Sequence, residues 1–289
     1  MREFWHAAKI ELERDGVDLA SHLLFEAGCN GIVEEAQPAG EVAVLTAYFS
    51  AEGEEASALS SRIISAFAPH PLLAAARMEI VTSEANEWRD SWRQWFKPFA
   101  IVPGVVVSPS WEDYKPKEDE MVITLDPGMA FGTGLHQTTQ LCAQAIFDAC
   151  SSASTPASLL DVGTGSGLLA MVAHKLGVRR IFVVENDPDA LAVAGENFEL
   201  NGVRGIGEAN QLSTEGATFD LVVANILLLT LIELRDSLVE RTALGGLLVL
   251  SGITEDQEQK ILETFSPVLK LISTTRKDEW SCMTFLRPK

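Results

Sequence analysis

Polar and apolar positions change period repeatedly along the first part of the chain. From Ala8 to Glu13 they alternate, the pattern of a half-buried strand. Leu19, Leu23, Leu24 and Ala27 then recur at helical spacing, and Gly28 closes that helix. Gly31–Ala36 and Val42–Phe49 read as two strands either side of a turn containing Pro38 and Gly40. Glu54–Phe67 predicts a second helix, acidic at its positive end, and Arg77–Val81 a last strand.

The order βαββαβ is that of a ferredoxin-like sheet with two helices on one face. Residues 1–84 are therefore expected to form a small α+β domain. It carries no catalytic pattern and reads as a binding platform. Over 85–100 the character shifts: Trp88, Trp92 and Trp95 fall at i, i+4 and i+7 among Arg89, Arg93 and Lys97, and Pro98 stops the run. That spacing predicts a short amphipathic connecting helix. Its tryptophans pack against a neighbouring domain, orient the platform over a site, or do both.

Residues 101–289 are expected to form a second domain. Ile101–Val107 and Met121–Leu125 look like strands, with a charged loop at Glu112–Glu120 between them. A stretch rich in glycine and threonine follows, Asp126 to Thr139, and is neither a good strand nor a good helix. Loops of such composition commonly serve ligands, and Thr138 or Thr139 can cap the helix that runs to about Cys150. Strands are then expected at Ser158–Val162, Ile181–Glu185, Asp220–Asn225 and Leu244–Leu250, with a weak one near Gly205–Glu208. Helices are expected at Gly167–Leu176, Asp189–Asn201, Leu227–Glu240 and Glu255–Phe265. Alternation of this kind implies a largely parallel sheet covered on both faces. Val268–Thr274 and Ser281–Leu286, with no helix between them, imply an antiparallel finish.

The strand over Ser158–Val162 runs into Gly163-Thr164-Gly165-Ser166-Gly167. Glycines admit close approach of a ligand, and the following helix start offers free N–H groups and a positive dipole end. A dinucleotide fingerprint would need a third glycine at position 168, which is leucine. With Asp161 two places before the first glycine, the turn resembles the first motif of S-adenosylmethionine-dependent methyltransferases, whose sheet is Rossmann-like and seven-stranded. NAD binding, or a turn with no ligand, are the competing readings.

Composition narrows the class. Over 289 residues, 47% hydrophobic and 22% charged positions are those of a globular protein. The net charge of −19 argues against wrapping bare nucleic acid and favours a basic partner. Cys29, Cys142, Cys150 and Cys282 form no C-x-x-C pair and no zinc spacing, as expected of reduced, mostly buried thiols in a cytoplasmic protein. The N-terminal residues lack the apolar core of a signal peptide. The longest apolar stretch, Leu221 to Ile232, is interrupted by Asn225 and Thr230 and is too short to span a bilayer.

Ligands of open α/β sheets lie outside the carboxyl ends of the strands. Gly163, Gly165 and Gly167 sit there. So does Glu185, 22 positions after Gly163, where a carboxylate can accept from ribose hydroxyls, or is simply an exposed strand end beside the capping residues Asp187 and Asp189. Asn225 ends an apolar strand. Its amide oxygen can accept from an attacking amine and align the nitrogen lone pair, or it can cap the next helix. Thr139 and Phe131 belong to the glycine-threonine loop, which can fold over a cofactor, and His136 in that loop is a candidate base.

Together these pieces resemble one family, the methyltransferase of bacterial large-subunit ribosomal protein L11. The resemblance covers essentially the whole chain. It rests on Trp88-Arg89 to Lys97-Pro98, on Asp126 to Gly134 with His136 and Thr138-Thr139, and on Asp161 to Gly167. Asn186-Asp187-Pro188, Val223 to Leu227 and Ser251-Gly252-Ile253 add to it. It implies a ferredoxin-like substrate-recognition domain followed by a Rossmann-like catalytic domain, with S-adenosylmethionine as cofactor. Contacts to that cofactor are implied at Thr139, Gly163, Glu185 and Asn225, with Gly165 and Phe131 beside them. It also implies transfer to lysine ε-amines and the N-terminal α-amine of that ribosomal protein by direct in-line displacement. Glu185 stands where the family usually has aspartate, which keeps the charge and lengthens the arm by a methylene. No metal, nucleic acid or membrane contact is expected, and a monomer is, since nothing points to an obligate interface. Two other readings remain: a small-molecule or nucleic-acid amine methyltransferase, weakened by Ile226-Leu227 where a proline and an aromatic would follow the asparagine, and a non-catalytic cofactor-binding assembly factor.

Overall fold

The computed structural model describes residues 4–29, 31–34, 42–51, 55–84, 96–126, 132–151, 155–213 and 215–289. The chain packs as two compact units, Met1–Phe96 and Lys97–Lys289. The expected tryptophan helix and Phe131 lie outside the described residues.

The first unit holds β1 (Phe4–Glu13), α1 (Val17–Glu26), β2 (Gly31–Glu34), β3 (Val42–Ser50), α2 (Ala56–Phe67) and β4 (Arg77–Glu84). Its sheet has the order β2-β3-β1-β4 with antiparallel neighbours, a split-βαβ arrangement. Alternation along β1 decides the faces: His6, Ala8, Ile10 and Leu12 are buried while Lys9, Glu11 and Glu13 are exposed. The buried row meets Ala20 and Leu24 of α1 and Leu59, Ile63 and Phe67 of α2, which share one stripe at spacings of four.

The second unit opens with β5 (Phe99–Val102), β6 (Val105–Ser108) and β7 (Met121–Thr124) in one three-stranded sheet. The single strand expected over Ile101–Val107 is thus two, folded back at Pro103-Gly104. Gly104 has φ +77°, which a proline–glycine tight turn requires. After α3 (Gln137–Cys150) comes a seven-stranded sheet of order β10-β9-β8-β11-β12-β14-β13. It is built from β8 (Ser158–Val162), β9 (Arg180–Val184), β10 (Gly207–Ala209), β11 (Phe219–Asn225), β12 (Thr242–Thr254), β13 (Lys270–Lys277) and β14 (Trp280–Leu286). Strands β8 to β12 pair in parallel, and β13 and β14 are the antiparallel finish. This is the Rossmann-like methyltransferase architecture expected. Every residue of β8 is buried, as a strand covered on both faces must be.

Helices α3, α4 (Leu168–Lys175) and α5 (Pro188–Leu200) accompany one face. On the other, α6 (Leu228–Glu233), α7 (Arg235–Arg241) and α8 (Glu258–Phe265) cover a core that includes Leu160, Val222, Leu250, Phe265 and Phe285. The single helix expected over Leu227–Glu240 is broken at Leu234, where the Arg235 guanidinium donates to the Thr264 carbonyl. No glycine or proline marks that break. Strand β12 runs four residues beyond its expected end because Ser251-Gly252 forms an irregularity rather than a stop.

Candidate active site

The carboxyl end of β8 turns sharply through three glycines in the left-handed region, Gly163 (φ +72°), Gly165 (+54°) and Gly167 (+81°). The turn is stapled to the neighbouring strand: the N–H groups of Gly163 and Thr164 donate to the Val184 carbonyl at 2.8 and 3.2 Å. A side chain at Gly167 would meet the Phe198 ring of α5 at 2.6 Å. Ser166 ties the turn to two further elements, its hydroxyl donating to the Gly132 carbonyl (2.8 Å) and its carbonyl accepting from Asn197 Nδ2 (2.9 Å). The glycine-threonine loop therefore packs directly on the turn. Neither Ser166 nor Asn197 stands out in the sequence, because their partners are distant backbone carbonyls and amides.

Two acidic residues lie against this turn. Glu185, just past β9, is 8% exposed. Its carboxylate accepts from Gly165 N–H at 2.9 Å and from Asp187 N–H at 3.2 Å, so it braces the turn. Asp187 in turn caps α5, accepting from Asp189 N–H with Pro188 at the first helical position. Asp161 is fully buried. Its Oδ2 accepts from Thr164 Oγ1 at 2.7 Å, while Oδ1 makes no close hydrogen bond among the described residues. Burial pushes its pKa up to about 6; the Thr164 hydroxyl and the Ala170 N–H pull the other way and the Glu185 charge adds to the rise.

Opposite stands Asn225 at the end of β11. Asn225 Nδ2 lies 3.5 Å from Thr139 Oγ1, and Asn225 Oδ1 is buried without a hydrogen-bond partner among the described residues. Thr139 is free to face it because the cap expected of Thr138 or Thr139 belongs to His136. The imidazole Nδ1 accepts from Thr138 N–H at 3.3 Å, lies 2.7 Å from Thr138 Oγ1, and the ring meets Trp280 edge-on at 4.9 Å. Both threonines are then inside the first turn and buried. Burial lowers the His136 pKa against the opposing pull of Glu279, the direction that favours the unprotonated ring an acceptor cap requires. The helix-cap reading of Asn225 does not hold either, since α6 starts after Leu227 with no side-chain cap.

A family model described as "Ribosomal protein L11 methyltransferase (PrmA)" matches residues 4–288. The chain belongs to the ribosomal protein L11 methyltransferase family. Within it, the L11 methyltransferase of Geobacter metallireducens is 37% identical over 299 aligned residues, covering 99% of each chain. That of Citrifermentans bemidjiense is 44% identical over 215 residues, covering 72% of this chain and 70% of its own. Among solved structures, the ribosomal protein L11 methylase of Lactobacillus delbrueckii subsp. bulgaricus is 32% identical with a TM-score of 0.62, and covers 67% of this chain and 100% of its own.

The family's cofactor is S-adenosylmethionine, and the residues present fit it. The three-glycine turn at the carboxyl end of β8 is the place where open α/β sheets take their ligands. Among the described residues, Asn225 Oδ1 has no hydrogen-bond donor and Asp161 Oδ1 no close one. Buried acceptors without donors suit a ligand that carries an ammonium group, ribose hydroxyls and a sulfonium.

Proposed function

We propose that this chain transfers methyl groups from S-adenosylmethionine to lysine ε-amines and the N-terminal α-amine of ribosomal protein L11. The reading is supported chiefly by the Asn225 amide oxygen, which is buried, lacks a donor among the described residues, and belongs to the last residue of β11, at the carboxyl end of the strand beside β8 and its glycine turn. S-adenosylmethionine supplies a methyl group already activated by its sulfonium, so the protein's part is positioning and desolvation. The backbone of Gly163 and Gly165 lies against the cofactor's amino-acid end. Glu185 keeps one lone pair per oxygen for ribose hydroxyls beyond the two backbone donors it already serves. Thr139, in the first turn of α3, would contribute to the cofactor's surroundings from the loop side.

Asn225 acts on the acceptor. Its Oδ1 accepts an N–H of the incoming amine and turns the nitrogen lone pair toward the methyl carbon, in line with the bond that breaks. The Thr139 hydroxyl fixes which way the carboxamide faces. Amines are mostly protonated at neutral pH, so the acceptor must shed its proton before attack. Apolar surroundings contributed by Phe131 favour the neutral form, and the proton leaves to water. Residues 1–84 hold the protein substrate, residues 85–100 connect them to the catalytic residues 101–289, and the strongly acidic chain suits a basic ribosomal protein. The enzyme works as a monomer in the cytoplasm, without direct contact to nucleic acid.

The test uses labelled S-adenosylmethionine and an extract from cells without endogenous activity. Label in L11, lost at single lysines changed to arginine and at a blocked N-terminus, is expected. Label in RNA or in small amines overturns the reading, and cofactor binding with no transfer supports an assembly factor instead.

A further inference from the structure

Among the described residues Asn225 has one side-chain hydrogen bond, at 3.5 Å to Thr139 Oγ1, and an oxygen without a partner. Its neighbour Ile226 is held very tightly. A Cβ added at Gly163 would lie 2.4 Å from Ile226 Cγ2, and a Cβ added at Gly252 would lie 2.4 Å from the Ile226 carbonyl oxygen and 2.9 Å from its nitrogen. Both glycines are in the left-handed region, at φ +72° and +83°. The Ile226 N–H also donates to the Ser251 carbonyl at 3.2 Å. Ile226 thus sits in a socket with two glycine walls. One wall is the first residue of the cofactor turn; the other is the irregularity in β12, the kind of feature that re-aims neighbouring groups beside active sites.

We infer that Ile226 is a positioning residue that sets the Asn225 carboxamide relative to the glycine turn. The inference rests on the reading of Asn225 as the group that aligns the amine. The β-branch matters because a side chain branched at Cβ has one strongly preferred χ1. Cγ2 therefore reports the position of Gly163 rigidly to the peptide that carries Asn225. The carbonyl against Gly252 prevents that peptide from tilting. Beyond the last paired residues of β8 and β11, Val162 and Ala224, Ile226 carries the contact between the cofactor turn and the chain after Asn225.

The test compares Ile226→Val, Ile226→Leu and Ile226→Ala in the full chain, with and without Gly163→Ala. It reads kcat, KM for L11, affinity for S-adenosylhomocysteine by calorimetry, and Tm. Valine keeps the Cγ2 methyl and is expected to retain most of the turnover. Leucine moves the branch one carbon out and off Gly163; kcat is expected to fall about tenfold or more, since small misplacements of reacting groups are expensive. Affinity for S-adenosylhomocysteine should stay within about twofold, the split expected when positioning alone is lost. A merely structural side chain would lower Tm in both variants and leave their kcat alike, and that outcome overturns the inference. Gly163→Ala should lose affinity through its clash with Cγ2, and Ile226→Ala should restore part of that loss although it slows turnover alone. Losses that simply multiply overturn the socket. If the wild-type chain binds S-adenosylhomocysteine and methylates nothing, the functional reading fails by itself, and the socket is then judged on these affinities.

Discussion

Asp161→Asn should make the protein more stable and a poorer binder of its cofactor. The carboxyl group is fully buried, with one oxygen on the Thr164 hydroxyl and the other without a close partner among the described residues. Its pKa rises from 3.8 to about 6, with burial as the leading cause. At 1.36 kcal/mol per unit, that is about 3 kcal/mol charged against the folded state when the group is ionised. The sign follows from the direction: the native state holds the proton more tightly than the unfolded chain, so this group lowers stability fully above about pH 6. The penalty fades as the pH falls through 6 and is gone below about 4, where both states are protonated. Asparagine has the same shape and no charge, but its amide places one N–H without an acceptor, which returns about 1–2 kcal/mol. A net gain of about 1–2 kcal/mol is expected at pH 8, or a rise in Tm of a few degrees for a chain of this size. The gain should shrink steadily towards pH 4.5. Thermal unfolding followed by circular dichroism at pH 8, 6 and 4.5 measures it. A variant no more stable than the parent at pH 8, or one whose advantage is the same at pH 4.5, would refute the reasoning. The functional half is read by calorimetry. S-adenosylmethionine should lose more affinity than S-adenosylhomocysteine, because only the former carries the sulfonium charge that Asp161 and Glu185 attract.

Glu185→Gln should weaken S-adenosylhomocysteine binding by about tenfold, as loss of a charge-assisted acceptor does. Glu185→Asp should lose only a few-fold while loosening the turn whose Gly165 N–H it now holds at 2.9 Å, and equal losses in the two titrations would count against a ribose role. Gly165→Ala should impair cofactor binding more than folding, whereas Gly167→Ala, which drives a Cβ to 2.6 Å from Phe198, should cost about 2–4 kcal/mol in urea unfolding. Arg241→Met should destabilise by about 2–4 kcal/mol with KM unchanged, since the buried guanidinium donates to the Ala217, Ser213 and Glu215 carbonyls and lies over the Phe219 ring far from the site.

Much of the architecture was legible because it depends on local pattern. The split βαββαβ order, the alternating strands and helices from Ser158 on, and the glycine turn with Asp161 before it all declare themselves within windows of a few residues. The failures have one cause in common: the deciding partner is remote. Pro103-Gly104 is the exception: it is a local turn signal, and the strand read as one because the apolar run continues across the turn at which β6 folds back on β5. Thr138 and Thr139 have the chemistry of a cap, and His136 takes that place because its ring is held by Trp280, 144 positions away. Glu185 reads as a ligand group. That it also braces Gly165 is visible only once β9 lies beside β8. Gly252 looks like an ordinary loop glycine until Ile226 is found against it.

The remaining lesson concerns where the protein tolerates discomfort. Strand register pairs Asp161 with Val223, and Asn225 is two residues further along the same strand, so both side chains project from one face of the sheet. Each ends in a buried oxygen without a close hydrogen bond. A carboxylate and a carboxamide left unsatisfied in neighbouring strands lower stability, and packing alone would replace them with leucine and valine like the residues around them. They lie toward the carboxyl end of the sheet, beside the glycine turn. Unsatisfied acceptors gathered at the one place where a cationic, hydroxyl-bearing ligand fits are the mark of a site in which binding completes what folding leaves undone. That is why Asp161→Asn should move stability and affinity in opposite directions, and why Arg241→Met, at the other end of β11, should move stability alone.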